Sequence, residues 1–293
     1  MDHIRFIGFG EAARAFAESL KVRAPSLSFS CYDILFDSEG PDGSVAAAAR
    51  ELGAKACAHP DDGIEQANWI VLAVTADSSF EAAQSVAGAL SPGQTVVDIN
   101  SVSPARKRRT AAVVNATGAA YVDMAVMAPV KPAGHRTPVL VAGALPAGFG
   151  ASLRDLDFRF EIVSEEPGQA TAVKMVRSVF VKGLEALTAQ TLLAATKSGC
   201  YDRIMASLST SYPGLKWPGF PEYQVERMTT HGIRRAAEMR ESAATLDELG
   251  LQGELVRQIA IAQETLGRAG SPGQDLALDE TLRRLADKVA RPA

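Results

Sequence analysis

A glycine-rich turn near the amino terminus combines small residues at a spacing that suits phosphate binding. The segment GFGEAA, a GxGxxA pattern, follows an apolar run and opens a helical pattern. Gly8 permits a tight turn, Gly10 lets the backbone approach a pyrophosphate, and Ala13 allows close packing of helix on strand. Amide groups at the helix start would face the anion. The predicted cofactor contacts are Gly8, Phe9, Gly10, Glu11, Ala12 and Ala13.

An acidic residue follows where dinucleotide-binding chains hold the adenosine ribose. Asp33 closes the second predicted strand, about 20 residues beyond the turn. A carboxylate at this place accepts hydrogen bonds from ribose hydroxyls and repels an added phosphate, so the sequence favours NAD and leaves NADP open. Asp37 is the alternative ribose contact if the strand extends further along the chain.

A lysine in a long helical pattern is the candidate acid/base. Lys174 lies in a predicted helix over 169–197. Ser178, Lys182 and Glu185 follow it at helical spacings, and this polar stripe is predicted to form a wall of the site. This helix would join two domains, with Lys174 facing the cleft where open α/β sheets bind ligands. Burial beside a nicotinamide would lower the pKa of the lysine, allowing its amine to exchange a proton with a substrate hydroxyl. The alternative is a solvated surface lysine.

The elements that position these residues alternate in the first half of the chain and are helical in the second. Short β-like runs between Ala-rich helices predict a parallel sheet covered by helices, an α/β fold with a Rossmann-type amino-terminal domain. An all-α carboxyl-terminal domain is expected to follow, with domains at 1–164 and 165–293. Strands are predicted at 4–7, 27–32, 69–74, 95–99, 121–125, 139–142 and 159–163. Helices are predicted at 11–22, 44–52, 78–90, 104–117, 169–197, 201–211, 222–249, 251–269 and 278–290.

Polar residues at the ends of two predicted strands could reach nicotinamide and substrate, because the carboxyl edge of a parallel sheet is the usual ligand site. The alternative for this segment is a helix-cap turn, with Ser103 as the N-cap. His231 in the helical domain is a further candidate substrate ligand, although a lone helical histidine is more often structural. The predicted cofactor contacts here are Val74, Thr75 and Asn100, and the predicted substrate contacts are Ser101 and Val102.

Composition and charge exclude several classes of function. With 34 acidic and 30 basic residues the formal charge is −4, which provides no positive field for nucleic acid or anionic membranes. The basic run at 106–109 has no interleaved aromatic residues, so a solvated helix face is expected. The three cysteines, Cys31, Cys57 and Cys200, are too scattered for a metal site and predict reduced thiols. No secretion signal or membrane-length apolar run is present, which predicts a cytoplasmic protein acting on small molecules.

Four segments, in the same order along the chain, resemble the β-hydroxyacid dehydrogenases, the family that includes 3-hydroxyisobutyrate and 6-phosphogluconate dehydrogenases. FIGFG at 6–10 resembles the dinucleotide signature of that family, and DINSVSP at 98–104 is similar to its DxSTxxP element. DMAVMAPV at 123–130 resembles the strand before its substrate-binding SGG turn. GQATAVKMVRS at 168–178 is similar to its GxGxxxKxxxN element, whose lysine is the catalytic acid/base. The resemblance therefore implies that Lys174 has this role.

Three departures from the family pattern bear on the substrate. Lys131-Pro132-Ala133 replaces the SGG turn, so an added cation is expected to help bind a substrate carboxylate. Ser178 stands where the family has an Asn that orients substrate and lysine. Val181 replaces the glutamate of the decarboxylating enzymes, which argues against decarboxylation of 6-phosphogluconate. The predicted substrate contacts are Ser101, Val102, Lys131, Pro132, Ser178, Lys182 and His231.

The resemblance implies an NAD-dependent oxidoreductase, with NADP also compatible, that moves hydride between nicotinamide and a small anionic hydroxy acid or its carbonyl form. It also implies a homodimer formed through a helical domain that contributes to substrate binding. Two alternatives stay open at this point. One is an imine reductase-like enzyme, and the other is a regulator that binds NAD(H) without turnover.

Overall fold

The computed structural model describes residues 2–40, 42–273 and 276–289. Within these ranges the chain divides into two compact units, one up to Lys174 and one from Met175 onward. The sequence predicts a dinucleotide-binding domain at 1–164 and a substrate-binding and dimerisation domain at 165–293. These two roles stay predictions. No helix in the described part of the chain is both long and apolar enough to cross a membrane.

The first unit is built on one eight-stranded sheet with the order β3-β2-β1-β4-β5-β6-β7-β8. All neighbouring strands are parallel except β6 and β7, which are antiparallel. The chain moves outward from β1 in both directions, so the sheet has a topological switch point between β1 and β4, where such folds bind ligands. The strands are β1 His3–Ile7, β2 Ser28–Tyr32, β3 Lys55–Ala56, β4 Trp69–Leu72, β5 Thr95–Asp98, β6 Ala120–Val126, β7 Val139–Ala142 and β8 Phe160–Ser164.

Helices cover both faces of this sheet because its strands alternate apolar side chains between two cores. One core contains Phe6, Phe16 and Met124, and the other contains Ile7, Leu72 and Tyr121, with all six side chains almost fully buried. The helices of the first part of the chain are α1 Glu11–Arg23, α2 Leu35–Glu39, α3 Ser44–Glu51, α4 Ser79–Ala87, α5 Pro104–Asn115 and α6 Phe149–Asp155, followed by the long α7 Gln169–Lys197. The predicted α/β class is confirmed.

The second unit consists of helices in the described residues. It contains most of α7, together with α8 Tyr201–Ser211, α9 Gly219–Glu248, α10 Glu254–Ala269 and α11 Leu278–Lys288. The crossing of α9 and α10 is close because Gly232 and Gly267 face one another, and an added Cβ at Gly232 would overlap the backbone of α10. Leu192, Met228, Leu282 and Leu285 form the buried centre of this unit.

Several predicted boundaries differ from the structure for local reasons. The short strand β3 and helices α2 and α6 were not predicted, because two to seven residues show too little periodicity. Helix α9 begins at Gly219 instead of 222, and α10 begins at Glu254 instead of 251, after a turn at 249–250 and a short connecting segment. Ala290, the predicted end of the last helix, lies outside the described residues.

His135 provides a test of pH dependence in the first unit. Its Nε2 donates to the carbonyl oxygen of Leu156 at 2.8 Å, and its Nδ1 is 2.8 Å from Oγ of Ser19. Burial lowers the pKa of His135 below its usual value. The folded state therefore binds fewer protons than the unfolded chain near pH 6, so this contribution to stability is present above about pH 6.5 and is lost as pH falls.

We expect the wild type to lose stability relative to His135→Gln as pH falls, because the variant has no imidazole to protonate. The difference between the free energies of unfolding of the two proteins should change by at most about 1.4 kcal/mol per pH unit. Urea unfolding of both proteins at pH 7.5 and pH 5.5 measures it. A difference that is independent of pH would contradict the assignment.

Candidate active site

The glycine turn after β1 has the backbone geometry that the sequence predicts. Gly8 has a φ of +86°, in the left-handed region, and an added Cβ would overlap the carbonyl oxygen of Ala73 and crowd the side chain of Val74. Its amide donates to the carbonyl oxygen of Tyr32 at 2.8 Å. Glycine is required here because the turn is pressed against the ends of both neighbouring strands, β2 and β4.

The first turn of α1 leaves room for a dinucleotide phosphate. Gly10 is the N-cap. Among the described residues no side chain caps the helix there, and an added Cβ at Gly10 would meet none of their atoms within 4 Å, its chain neighbours aside. The first amides of a helix have no intrahelical acceptor, so those of Glu11, Ala12 and Ala13 can face an anion. Ala13 is fully buried and packs in the core. These features fit the pyrophosphate of a dinucleotide cofactor.

Asp33 lies beside this turn at the end of β2. Its Oδ2 accepts a hydrogen bond from the amide of Phe9 at 2.7 Å, and its Oδ1 accepts one from the amide of Leu35 at 3.0 Å. Asp37 instead lies in α2, where it accepts a hydrogen bond from the hydroxyl of Tyr32 at 2.9 Å. This placement favours Asp33 over Asp37 as the residue next to a bound ribose.

Asp33→Ala should weaken NAD binding about tenfold to a hundredfold, because a hydrogen bond to a charged group contributes roughly 1.5–3 kcal/mol. NADP binding should change much less, since removing the carboxylate also removes its repulsion of the 2′-phosphate. Titrations of NADH and NADPH fluorescence measure both affinities. Asp37→Ala is the matched control, and an equal loss for both cofactors in Asp33→Ala would argue against the ribose assignment.

Asn100 is buried and joins the ends of β4 and β5. Its Oδ1 accepts from the amide of Val74 at 2.8 Å, and its Nδ2 donates to Oγ of Ser79 at 3.2 Å. These bonds hold the loop after β4 against the end of β5, and Val74 of that loop packs next to Gly8. Thr75, next in that loop, is exposed. The predicted cofactor residues of both strand ends thus lie at one edge of the sheet, with Asn100 acting on the loop through its side chain.

Lys174 lies in the second turn of α7 and reaches the residue after Asn100. Its Nζ donates to Oγ of Ser101 at 2.6 Å, and both residues are half-buried. Val102 is fully buried, backbone included, and its predicted contact with substrate stays a prediction. The structure therefore brings the predicted acid/base and one predicted substrate residue together at the carboxyl edge of the sheet.

A buried charge network lies beneath this edge, and sequence reasoning missed it. Lys107 was expected on a solvated helix face, and this is wrong, because its side chain is fully buried in the structure. Its Nζ is 3.0 Å from Oδ1 of Asp98 and 3.4 Å from Oδ1 of Asp123, and both carboxylates are fully buried. The hydroxyl of Tyr121 donates to Oδ2 of Asp98 at 2.7 Å. The fold needs this cation because two carboxylates point into one core.

Two arginines of the basic run also contact neighbouring elements. Arg106 donates to the carbonyl oxygen of Ala76 at 2.8 Å, and the guanidinium of Arg109 lies 3.7 Å from the ring centre of Phe80. Charge spacing alone could not show this, because the partners come from α4 and the loop before it. Ser103, the N-cap of α5, lies four residues before Lys107, and Thr110 lies three residues after it. Both are buried, and their helical spacing to Lys107 is a signal that could have indicated an inward face.

The remaining predicted substrate residues occupy several places. Lys131 and Pro132 are exposed in the loop after β6. In the second unit, Lys182 is buried and its Nζ lies 2.6 Å from Oε2 of Glu238 and 3.3 Å from Oγ of Ser178. His231 is half-buried on α9. Their contacts with substrate stay predictions.

The lower part of the polar stripe on α7 stabilises the helical unit. Glu185 and Arg235 form a buried ion pair, and Nε2 of Gln263 donates to Oε2 of Glu185 at 2.8 Å. Burial lowers the pKa of Lys182, while the carboxylate of Glu238 opposes that shift. The stripe was predicted as a site wall, and in this unit these side chains link α7 to α9 and α10.

A Rossmann-type sheet, a glycine turn at its switch point and an acidic residue after β2 define a dinucleotide-binding protein. Residues 4–151 match the family model described as the NAD binding domain of 6-phosphogluconate dehydrogenase, and residues 195–266 match a domain of unknown function, DUF1932. A conserved hypothetical protein from Sinorhizobium meliloti 1021 is 34% identical, with 99% of this chain and 96% of that chain covered and a TM-score of 0.75. The chain belongs to the family that this model describes, with the NAD-binding domain of 6-phosphogluconate dehydrogenase, which confirms the resemblance.

Two more distant solved structures share the fold. The 3-hydroxyisobutyrate dehydrogenase of Mycobacterium tuberculosis, solved with L-serine, is 16% identical, with 97% of this chain and 99% of that chain covered and a TM-score of 0.72. A reductive aminase from Aspergillus terreus, solved with NADPH4, cyclohexanone and allyl amine, is 17% identical, with 97% and 98% covered and a TM-score of 0.57. At these identities the likeness establishes the fold alone.

Proposed function

We propose that this protein is an NAD(P)-dependent oxidoreductase that transfers hydride between nicotinamide and a small hydroxy acid or its carbonyl form. The observation that carries the proposal is the 2.6 Å contact between Nζ of Lys174 and Oγ of Ser101, beside Asn100. An amine and a hydroxyl held at this edge of the sheet lie where a Rossmann-type fold presents its ligand. Acid/base chemistry at a carbon that exchanges hydride requires such a group within hydrogen-bond reach.

The cofactor would be held by the glycine turn and the strand ends around it. The amides of residues 10–13 would bind the pyrophosphate, and Asp33 would bind the ribose and favour NAD over NADP. Val74, Thr75 and Asn100 would line the nicotinamide side. When bound, the nicotinamide supplies or accepts the hydride.

Lys174 would exchange the proton that accompanies the hydride. In the oxidation direction, its neutral Nζ accepts the hydroxyl proton of the substrate, and in reduction its ammonium returns a proton to the carbonyl oxygen. Ser101, as the hydrogen-bond partner of Nζ, would orient the amine and contact the substrate oxygen. Val102, which is fully buried, would support the segment of Ser101 from behind and is the remaining proposed substrate residue there.

The substrate is proposed to carry a carboxylate or a similar anion. Lys131 and Pro132 follow β6 where related dehydrogenases have their substrate turn, and Lys131 adds an exposed cation there. Ser178, Lys182 and His231 are the proposed contributions of residues 165–293, the part of the chain proposed for substrate binding and dimerisation.

Reduction of an imine is the second candidate. It rests on Ser178, which stands in place of the Asn that the hydroxyacid dehydrogenases use to orient substrate and lysine. A shorter hydroxyl side chain at this position would leave more room around the reacting carbon. The fold shared with a reductive aminase is compatible with this reaction.

A substrate panel tests both candidates. Nicotinamide absorbance measures turnover in two sets of assays. One set contains small hydroxy acids and NAD or NADP. The other contains NADH or NADPH and ketones, each in the presence and absence of an amine. Turnover of a hydroxy acid supports the first proposal, whereas turnover that depends on an amine supports the second. Tight NADH binding without turnover across the panel would contradict both and favour a nucleotide-sensing regulator.

A further inference from the structure

The first turn of α7 is fastened to the sheet by contacts that come from distant parts of the chain. Oδ2 of Asp123 accepts hydrogen bonds from the amides of Gly168 at 3.1 Å and Thr171 at 3.0 Å. Asp123 lies in β6, so a strand side chain caps the start of this helix. Gly168 has a φ of +96° and packs on Pro104, whose carbonyl oxygen an added Cβ would approach to 2.9 Å.

Thr171 makes the contact that is closest to the candidate active site. Its Oγ1 donates to the carbonyl oxygen of Val102 at 3.0 Å, and its side chain is fully buried. Val102 is the neighbour of Ser101, and Lys174 lies three residues beyond Thr171 on the same helix. Two hydrogen bonds, one turn apart, therefore join the same two segments: Thr171 to Val102 and Lys174 to Ser101.

This arrangement differs from that of other threonines on α7. Thr188 and Thr196 donate their hydroxyls to Leu184 and Leu192, four residues back on their own helix, at 2.7 and 2.8 Å. Such bonds satisfy the hydroxyl locally and place no neighbouring segment. Thr171 is too near the start of α7 for a helical acceptor four residues back, so its hydroxyl is available to another segment.

We propose that Thr171 is a positioning residue, whose hydroxyl sets the register of α7 against residues 101–103 and so holds the amine of Lys174 at Ser101. Loss of the hydroxyl leaves the amide of Thr171 on Asp123 but frees the loop to move relative to the helix. The catalytic consequence rests on the proposed function, whereas the position of the amine does not.

Lysine reactivity tests the position without any substrate. Acetylation by a limiting amount of acetic anhydride, followed by mass spectrometry, measures the labelling rate of Lys174 against the exposed Lys197 in the same molecule. We expect Thr171→Val to change the relative rate about threefold to tenfold, the factor that corresponds to losing one neutral hydrogen bond. Thr171→Ser keeps the hydroxyl, so Lys174 in this variant should be labelled at the wild-type rate.

Thr188→Val is the matched control, because it makes the same substitution on the same helix and removes only a local hydrogen bond. It should leave the labelling of Lys174 unchanged. Thermal unfolding and NADH binding establish that each variant is folded. Hydrogen exchange of residues 168–174, which should become faster in Thr171→Val alone, is a second readout. Wild-type labelling in Thr171→Val, or failure of Thr171→Ser to restore it, would overturn the proposal.

Kinetics distinguish this proposal from the proposed function. With a substrate from the panel, Thr171→Val should lower kcat about tenfold, within the range that a displaced reacting group produces, while KM stays close to the wild-type value. Altered labelling in a protein that turns over no substrate would sustain the positioning role and refute the oxidoreductase. Unaltered labelling in an active enzyme would refute the positioning role alone.

Discussion

Replacing Lys174 by alanine is expected to lower turnover about 10²-fold to 10⁴-fold, the range that general acid/base groups contribute. The substitution removes the Nζ that contacts Ser101 at 2.6 Å. NADH affinity should stay close to wild type, because the glycine turn and Asp33 lie on other elements. Initial rates with a panel substrate and an NADH titration measure the two quantities separately.

Two further variants show whether proton exchange or charge matters. Lys174→Arg keeps a cation but cannot release its proton near neutral pH, so its turnover should fall as far as that of the alanine variant. Lys197→Ala removes an exposed lysine from the last turn of the same helix and should leave turnover unchanged. Turnover near the wild-type level in Lys174→Arg would mean that charge suffices and would remove the acid/base role.

Lys107→Met is expected to lower the free energy of unfolding by about 3–5 kcal/mol, the cost of leaving a buried partner charge uncompensated. Lys107 faces Asp98 and Asp123, and all three side chains are fully buried. Burial already raises the pKa of Asp123, and Lys107 counteracts that shift. Urea unfolding at pH 7.5 measures the loss.

The pH dependence of this loss has a definite sign. Without Lys107 the carboxylate of Asp123 binds a proton more readily in the folded state than in the unfolded chain, so stability recovers as pH falls from 8 towards 5. Lys55→Met makes the same substitution at an exposed lysine of β3 in the same unit and should change the free energy of unfolding by no more than about 0.5 kcal/mol. Adding Asp98→Asn to Lys107→Met should recover part of the loss. A loss below about 1 kcal/mol in Lys107→Met would contradict the role given to this network.

Local sequence determined the α/β class, the glycine turn and the long helix that carries Lys174. The GxGxxA spacing predicts the tight turn at Gly8, which has a φ of +86°, although the atoms that exclude a Cβ there belong to Ala73 and Val74, after β4. Helix α7 spans Gln169–Lys197, as its pattern predicts, because helical periodicity is repeated over many turns. Strands β4 and β5 follow from short apolar runs bounded by turn residues.

Tertiary structure alone decided how these parts meet. Lysine is usually exposed, and the burial of Lys107 is favourable only because Asp98 on β5 and Asp123 on β6 form ion pairs with it. The contacts of Lys174 with Ser101 and of Thr171 with Val102 join residues separated by 73 and 69 positions. Periodicity and capping act over a few residues, whereas such contacts depend on strand order and helix packing. The sequence therefore determined the elements and the chemistry available, and the packed sheet determined which side chains share the edge.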